Sequence, residues 1–161
     1  CVTCVMEGVR PVLAEIQALV VPSSFGNPRR VRNGVEYNRA MLLLAVLEKR
    51  GGLLLGNCDA YLNVIGGLSL DEPAADLAAM LALASSFRDK PVPSDLAAIG
   101  EVGLTGELRA VSNLGQRLSE VRRLGFTKCL IPKRIQGKLA APEGLELIRV
   151  ANIREALAAL L

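Results

Sequence analysis

Three groups of residues have types and spacings that could do chemistry. The first is carboxylate: Asp71, Glu72 and Asp76, of which Glu72 and Asp76 lie one helical turn apart and could face a common cation. The second is Cys1-Val2-Thr3-Cys4, with the ligand spacing of a zinc knuckle. The third is basic. Between residues 109 and 138, Arg109, Arg117, Arg122, Arg123, Lys128, Lys133, Arg134 and Lys138 stand against Glu120 alone, and Arg29, Arg30 and Arg32 form a second cluster. Segregated positive charge can grip a polyanion, or can be a solvated face.

Simpler readings weigh against the first two groups. Asp71 and Glu72 precede a predicted helix, where unpaired amides and the helix dipole favour carboxylates, so capping accounts for them without a metal. Cys58 and Cys129 are isolated and the chain has no histidine. Strand positions three apart point to opposite faces, so Cys1 and Cys4 would not share an ion. Reduced thiols and no metal are expected.

The elements that must position these residues follow from periodicity. Residues 1–6 and 12–20 alternate as two strands with Glu7-Gly8 turning between them. Val12, Ala14, Ile16 and Ala18 fall on one face. Residues 22–33 read as a loop from their Pro, Ser, Gly and Asn content. Residues 37–50 read as a deeply buried helix, ended by Gly51-Gly52. Residues 60–65 alternate as a strand, and Gly66-Gly67 form a hinge. After Pro73, which suits a first helical turn, Leu77, Met80, Leu81 and Ala84 recur at helical spacing. Arg88-Asp89-Lys90-Pro91 stops that run. A strand turning through glycines into a helix start is a frequent seat for a nucleophile, and here it holds Ala74.

Downstream, residues 97–102 and 107–111 form a predicted hairpin around Gly103-Leu104-Thr105-Gly106. Ser112 is placed to cap a helix over 113–124 with an inner stripe of Leu114, Leu118 and Val121. Residues 126–131 and 145–150 read as strands. Asn152 caps a terminal helix, with Glu155 three residues on as in a capping box. Strands and helices interleave irregularly, which gives an α+β fold.

Composition bounds the rest. At 161 residues with 51% apolar and 22% charged residues, the chain is a single folded domain, 1–161, with a net charge of +3. Aromatics at 3% are too sparse for base-stacking platforms. No apolar run approaches the ~20 residues of a membrane span. The missing initiator methionine fits a segment of a longer protein. Nothing matches a phosphate-cradling Gly-x-x-x-x-Gly-Lys-Ser/Thr loop, so nucleotide hydrolysis is not expected here.

Two segments carry a family resemblance. Asp71-Glu72-Pro73-Ala74-Ala75-Asp76, followed by a small-residue helix, resembles the proteolytic domain of Lon proteases, as does the stretch 100–111 with its Thr105-Gly106-Glu107 turn. The likeness extends to the Lon-like C-terminal domain of the RadA (Sms) family of bacterial DNA-repair proteins, through Ser23-Ser24-Phe25-Gly26-Asn27-Pro28-Arg29-Arg30, Tyr37-Asn38-Arg39, Leu47-Glu48-Lys49-Arg50 and Ala84-Ser85-Ser86-Phe87-Arg88-Asp89.

The resemblance implies a Lon-type fold shared with ribosomal protein S5 domain 2, and it places Ala74 at the serine and Gly115 at the lysine of the Ser–Lys dyad. Alanine has no hydroxyl and glycine no base, so no catalytic residue is expected. It further implies a scaffold for a homo-oligomeric, hexameric ring in the bacterial cytoplasm, within a protein that drives ATP-dependent branch migration. ATP, Mg and Zn would belong to other domains, with no cofactor in this one. DNA, single-stranded or branched, is the implied partner, with Arg29, Arg30, Arg32, Arg117, Arg122, Arg123, Lys133 and Arg134 as candidate contacts. The competing readings are a purely structural oligomerisation module and a residual peptidase built on another serine.

Overall fold

A computed structural model describes residues 1–24 and 26–160. Phe25 of the 23–30 segment and Leu161, the last residue of the sequence, lie outside the described residues. The chain runs β1 (Val2–Glu7), β2 (Arg10–Pro22), β3 (Arg30–Asn33), α1 (Tyr37–Lys49), β4 (Cys58–Val64), α2 (Asp76–Arg88), β5 (Leu96–Ala98), β6 (Glu101–Val102), β7 (Leu108–Arg109), α3 (Leu114–Arg123), β8 (Lys128–Pro132), β9 (Glu146–Val150) and α4 (Ile153–Leu160). This is the α+β mixture that the sequence implies.

Seven strands form one sheet in the order β3-β4-β2-β1-β5-β8-β9, and β6 and β7 pair separately. The β1–β2 hairpin and the β2–β4 pair are antiparallel, whereas β3–β4, β1–β5, β5–β8 and β8–β9 are parallel. All strands of the sheet except β2 therefore point the same way. Strand period two sorts the side chains between two cores. Val5, Ala98 and Leu130 join α1, α2 and α4 on one face, while Cys4, Ala97, Cys129 and Ile131 join α3 on the other.

Helix α2 is the centre of the larger core. Every residue from Asp76 to Ala84 is buried, so the expected stripe of Leu77, Met80, Leu81 and Ala84 is only part of what it hides. A helix apolar all round belongs inside a protein, and Ala and Leu make it at little conformational cost. Its left-handed cap at Asp89 sends the chain on to Pro91.

Several elements depart from the sequence reading. Residues 30–33, expected in a loop, form the edge strand β3, because pairing with β4 outweighs their polar composition. The expected strand 97–102 is divided. Leu96–Ala98 lies inside the large sheet, and Glu101–Val102 turns away to pair with β7 around the expected Gly103–Gly106 turn. Ser112 does not cap α3; Asn113 occupies that position with φ 55° and makes no side-chain cap. At α1 the cap is Glu36, whose carboxylate accepts the Asn38 and Arg39 amides at 3.0 and 2.9 Å. At α4 the expected pair holds: Asn152 accepts the Glu155 amide at 2.8 Å and Glu155 accepts the Ala151 amide at 2.7 Å. Among the described residues no helix is long and apolar enough to cross a membrane.

Between β4 and α2 the chain crosses in a strap, residues 65–72, that returns along residues 34–35. The Leu70 amide donates to the Gly34 carbonyl at 2.7 Å, and Val35 bridges Leu70. Gly34 sits at φ +87°, and a Cβ there would stand 2.5 Å from the Leu68 carbonyl oxygen and 2.7 Å from Val64. Only glycine meets both demands. Gly34→Ala is expected to cost about 1–3 kcal/mol, read as a lower urea midpoint. An unchanged midpoint would show that the strap is not held there.

Candidate functional site

The site lies where α2 begins, beyond the carboxyl ends of the parallel strands β1, β5 and β8. Pro73–Ala75 forms a single 3-10 turn ahead of α2. The Gly100 amide donates to the Ala74 carbonyl at 2.9 Å, and the Leu77 amide donates to the Gly100 carbonyl at 3.1 Å. These bonds fix the helix start against the end of β5. Ala74 is 4% exposed and packs in the same core as Val111 and Leu114. Gly115 follows Leu114 in the first turn of α3, with open space where a Cβ would project. The two segments singled out in sequence thus meet in one core, with a methyl group at one position and no side chain at the other.

The other serines near α2 are committed elsewhere. The Ser86 hydroxyl accepts the Val20 amide at 2.8 Å, and the Ser85 hydroxyl donates to the Lys90 carbonyl rather than meeting an amine. Ser69 and Ser112 are exposed. Two buried thiols are quiet as well. Burial pushes Cys4 up to about 11 and Cys129 higher still, so neither ionises near neutral pH. Cys1 packs against the larger core and Cys4 lies in the smaller one, on the opposite faces expected of β1.

Two arginine–carboxylate pairs bracket Ala74. On one side Arg117, 2% exposed, pairs with Glu72 and donates to the Ser112 and Cys4 carbonyls, each at 2.9 Å. Glu72 also accepts the Met6 amide at 2.8 Å. On the other side Arg39 pairs with Asp76 through both guanidinium arms, its Nε reaching Oδ1 at 2.9 Å. The Val102 amide adds a bond to Asp76 Oδ2 at 3.1 Å. Burial pushes the Asp76 carboxyl above its ordinary value, against the pull of Arg39 and the Val102 amide. Bidentate pairing of this kind holds geometry as well as charge.

These pairs correct one expectation and bear on the cation reading that the sequence had already disfavoured. Glu72 does not cap a helix, since it makes no side-chain cap bond and its oxygens serve Met6 and Arg117. Asp76 neutralises Arg39 rather than facing a cation with Glu72. A signal was present in sequence. Arg117 lies three residues after Leu114 and four before Val121, on the inner stripe of its helix, where a cation must find a buried partner.

The basic candidates do not form one surface. Arg117 leaves the list, because a guanidinium 2% exposed and fully engaged cannot meet a phosphate. Arg30 donates to the Cys58 and Leu55 carbonyls, tying down the turn before β4. Arg32 stacks over Tyr37 with its guanidinium carbon 5.7 Å from the ring centre. Arg122 holds the Glu143 and Phe126 carbonyls, and Arg123 is paired with Glu120 at 2.7 and 2.8 Å. Arg29 is exposed at the end of the sheet where β3 begins. Lys133 and Arg134 follow β8 at the opposite end, exposed and without a side-chain partner among the described residues. With Arg109 they line an open cleft of about 630 Å³ floored by Leu108 and Ala151.

Residues 59–161 match the family model of the Lon protease (S16) C-terminal proteolytic domain. The chain belongs to that family. The Lon-type fold expected from residues 71–76 and 100–111 is therefore the one observed. Among known proteins the chain is 56% identical over 156 residues to a DNA repair protein RadA of Bacillus subtilis, covering 97% of this chain and 34% of that protein. It is 52% identical over 152 residues to RadA of Streptococcus pneumoniae, covering 94% and 36%, and 53% identical over 152 residues to RadA of Listeria monocytogenes, covering 94% and 33%. The chain spans about a third of the length of the relatives it matches. The resemblance to the Lon-like domain of RadA holds over nearly all of it.

The buried pair makes a test. Arg39→Met leaves the Asp76 carboxylate, 3% exposed, with the Val102 amide alone. The expected loss is about 3 kcal/mol near pH 7 by urea unfolding, at the low end for a broken buried pair because Arg39 is itself 29% exposed. Removing Arg39 raises Asp76 further above its unfolded value, so over that window the folded state binds more protons. The deficit should therefore shrink as pH falls toward about 4. A loss independent of pH would rule out Asp76 as its source.

Proposed function

We propose that this chain is a non-proteolytic Lon-type domain of a RadA-type DNA-repair protein in the bacterial cytoplasm. It serves as the ring-assembly scaffold, and as a DNA-contacting surface, for an ATP-dependent branch-migration motor whose nucleotide chemistry resides in other domains. What supports this reading is a Lon framework in which Ala74 and Gly115, the positions that the resemblance assigns to hydroxyl and amine, carry neither group. A Ser–Lys hydrolase needs a hydroxyl whose proton passes to a neighbouring neutral amine, and both groups are missing from the core that joins α2 to α3. Identity above half with RadA proteins across nearly the whole chain supports the repair context.

Lys133 and Arg134 are the best candidates for phosphate contacts, since their charge is not spent inside the domain. Arg29 is a second candidate at the far end of the sheet. Phosphate contacts position without reading sequence, so binding should be salt-sensitive and nearly indifferent to base order. In fluorescence anisotropy with single-stranded DNA, Lys133→Glu with Arg134→Glu should weaken binding and flatten the plot of log affinity against log salt by about 1.4. Equal affinity and slope for parent and variant would exclude this cleft.

A second reading is a scaffold that never meets DNA. Charge reversal at Arg29 separates the two, and Arg30 is unsuited because it holds the turn at residues 55–58. Loss of the ring on Arg29→Glu favours the scaffold; loss of DNA binding with the ring intact favours the first reading. Proteolysis has its own check. No turnover of fluorogenic casein is expected, and serine-dependent turnover would overturn the assignment.

A further inference from the structure

The strap of residues 65–72 has a cavity of about 240 Å³ on its α1 side. Ile16, Val35, Leu43 and Leu70 make its walls apolar, and the Arg39–Asp76 pair lies along it with its charges mutually satisfied. Three further carboxylates reach it. Glu72 is balanced by Arg117, Glu36 spends its oxygens on two helix amides, and Asp71 has no partner among the described residues. An apolar hole with surplus negative charge at its mouth suits an aliphatic stem carrying a cation. At this volume it falls below the roughly 300–1,000 Å³ of small-molecule sites and fits one or two side chains.

Among the described residues one exposed feature has matching chemistry. Val9, at the tip of the β1–β2 hairpin, is 86% exposed, and the next residue, Arg10, is exposed and makes no hydrogen bond or ion pair among the described residues. The other strongly exposed apolar residues among those described lack such a neighbour, and Leu54, 79% exposed, stands between Leu53 and Leu55. Leu104 stands in the turn held by Glu107, Val31 lies between the engaged Arg30 and Arg32, and Leu124 follows Arg123, already paired with Glu120. A copy cannot fill its own cavity, because residues 68–73 wall it off from the end of β1.

We propose that the Val9–Arg10 hairpin tip of one copy seats in this cavity of a second copy, Val9 against the apolar wall and Arg10 facing Asp71 and Glu36. Knob and hole are different surfaces, so each copy uses both at once, the head-to-tail arrangement that makes a ring where the rotation between copies closes. The inference rests on the ring-assembly reading and names its contact.

Sedimentation velocity of the protein that carries this chain, across a concentration series, tests it. Arg10→Glu and Asp71→Lys, each at an exposed position, should each weaken association about tenfold or more, and the Arg10→Glu/Asp71→Lys double variant should recover most of it. Recovery also shows that the single variants fold. Assembly of both single variants like the parent would overturn this contact and leave the ring reading standing. Failure of the double variant to recover would overturn it too. A parent that stays monomeric at all concentrations would overturn the ring reading itself.

Discussion

The structure depends on the burial of a helix start. Helix α2 is enclosed on all sides through Ala84, and an enclosed helix still presents amides at its first turn that need a fixed setting. The main chain supplies part of it, through Gly100 bonded at both Ala74 and Leu77. Two arginines supply the rest. Arg117 reaches from α3 to Glu72 before the turn, and Arg39 reaches from α1 to Asp76 after it. Charges are tolerated inside only when paired and hydrogen-bonded, and these four residues satisfy that rule while tying three helices, β1 and β6 to one point.

The frame that surrounds this point was largely legible in sequence. Period-two alternation marked β1, β2 and β4, helical spacing marked α1 and α2, and Asn152 with Glu155 marked the start of α4. What sequence could not give was pairing across distance. Residues 30–33 look like loop because their strand character comes from β4. Leu96–Ala98 and Glu101–Val102 read as one run, since nothing local says that the chain leaves one sheet for another. The arginines are the sharper case. Composition grouped Arg30, Arg117 and Arg122 with exposed cations, whereas their guanidinium groups close main-chain carbonyls inside the fold. Arg117 could have been singled out by its place on the stripe of Leu114, Leu118 and Val121.

A Lon framework with alanine at residue 74 and glycine at residue 115 has a definable repertoire. Its start-of-helix geometry is held by ion pairs rather than by a working hydroxyl, and in the open groove beside Gly115 the amine and hydroxyl on the lining are those of Lys138 and Ser119, not of residues 115 and 74. What remains chemically available lies on the surface: unspent cations at Lys133 and Arg134, a cation at the Val9–Arg10 tip and unspent negative charge at Asp71. These suit contact with a polyanion and with other copies.

Hydrogen exchange of the protein, with and without single-stranded DNA, tests most directly whether the domain grips rather than cuts. Slowed exchange in residues 107–110 and 133–137, with the amides around Ala74 and Gly115 unchanged, is the predicted result. Protection confined to residues 73–75 and 112–116, and elicited by an unfolded polypeptide instead of DNA, would contradict the account.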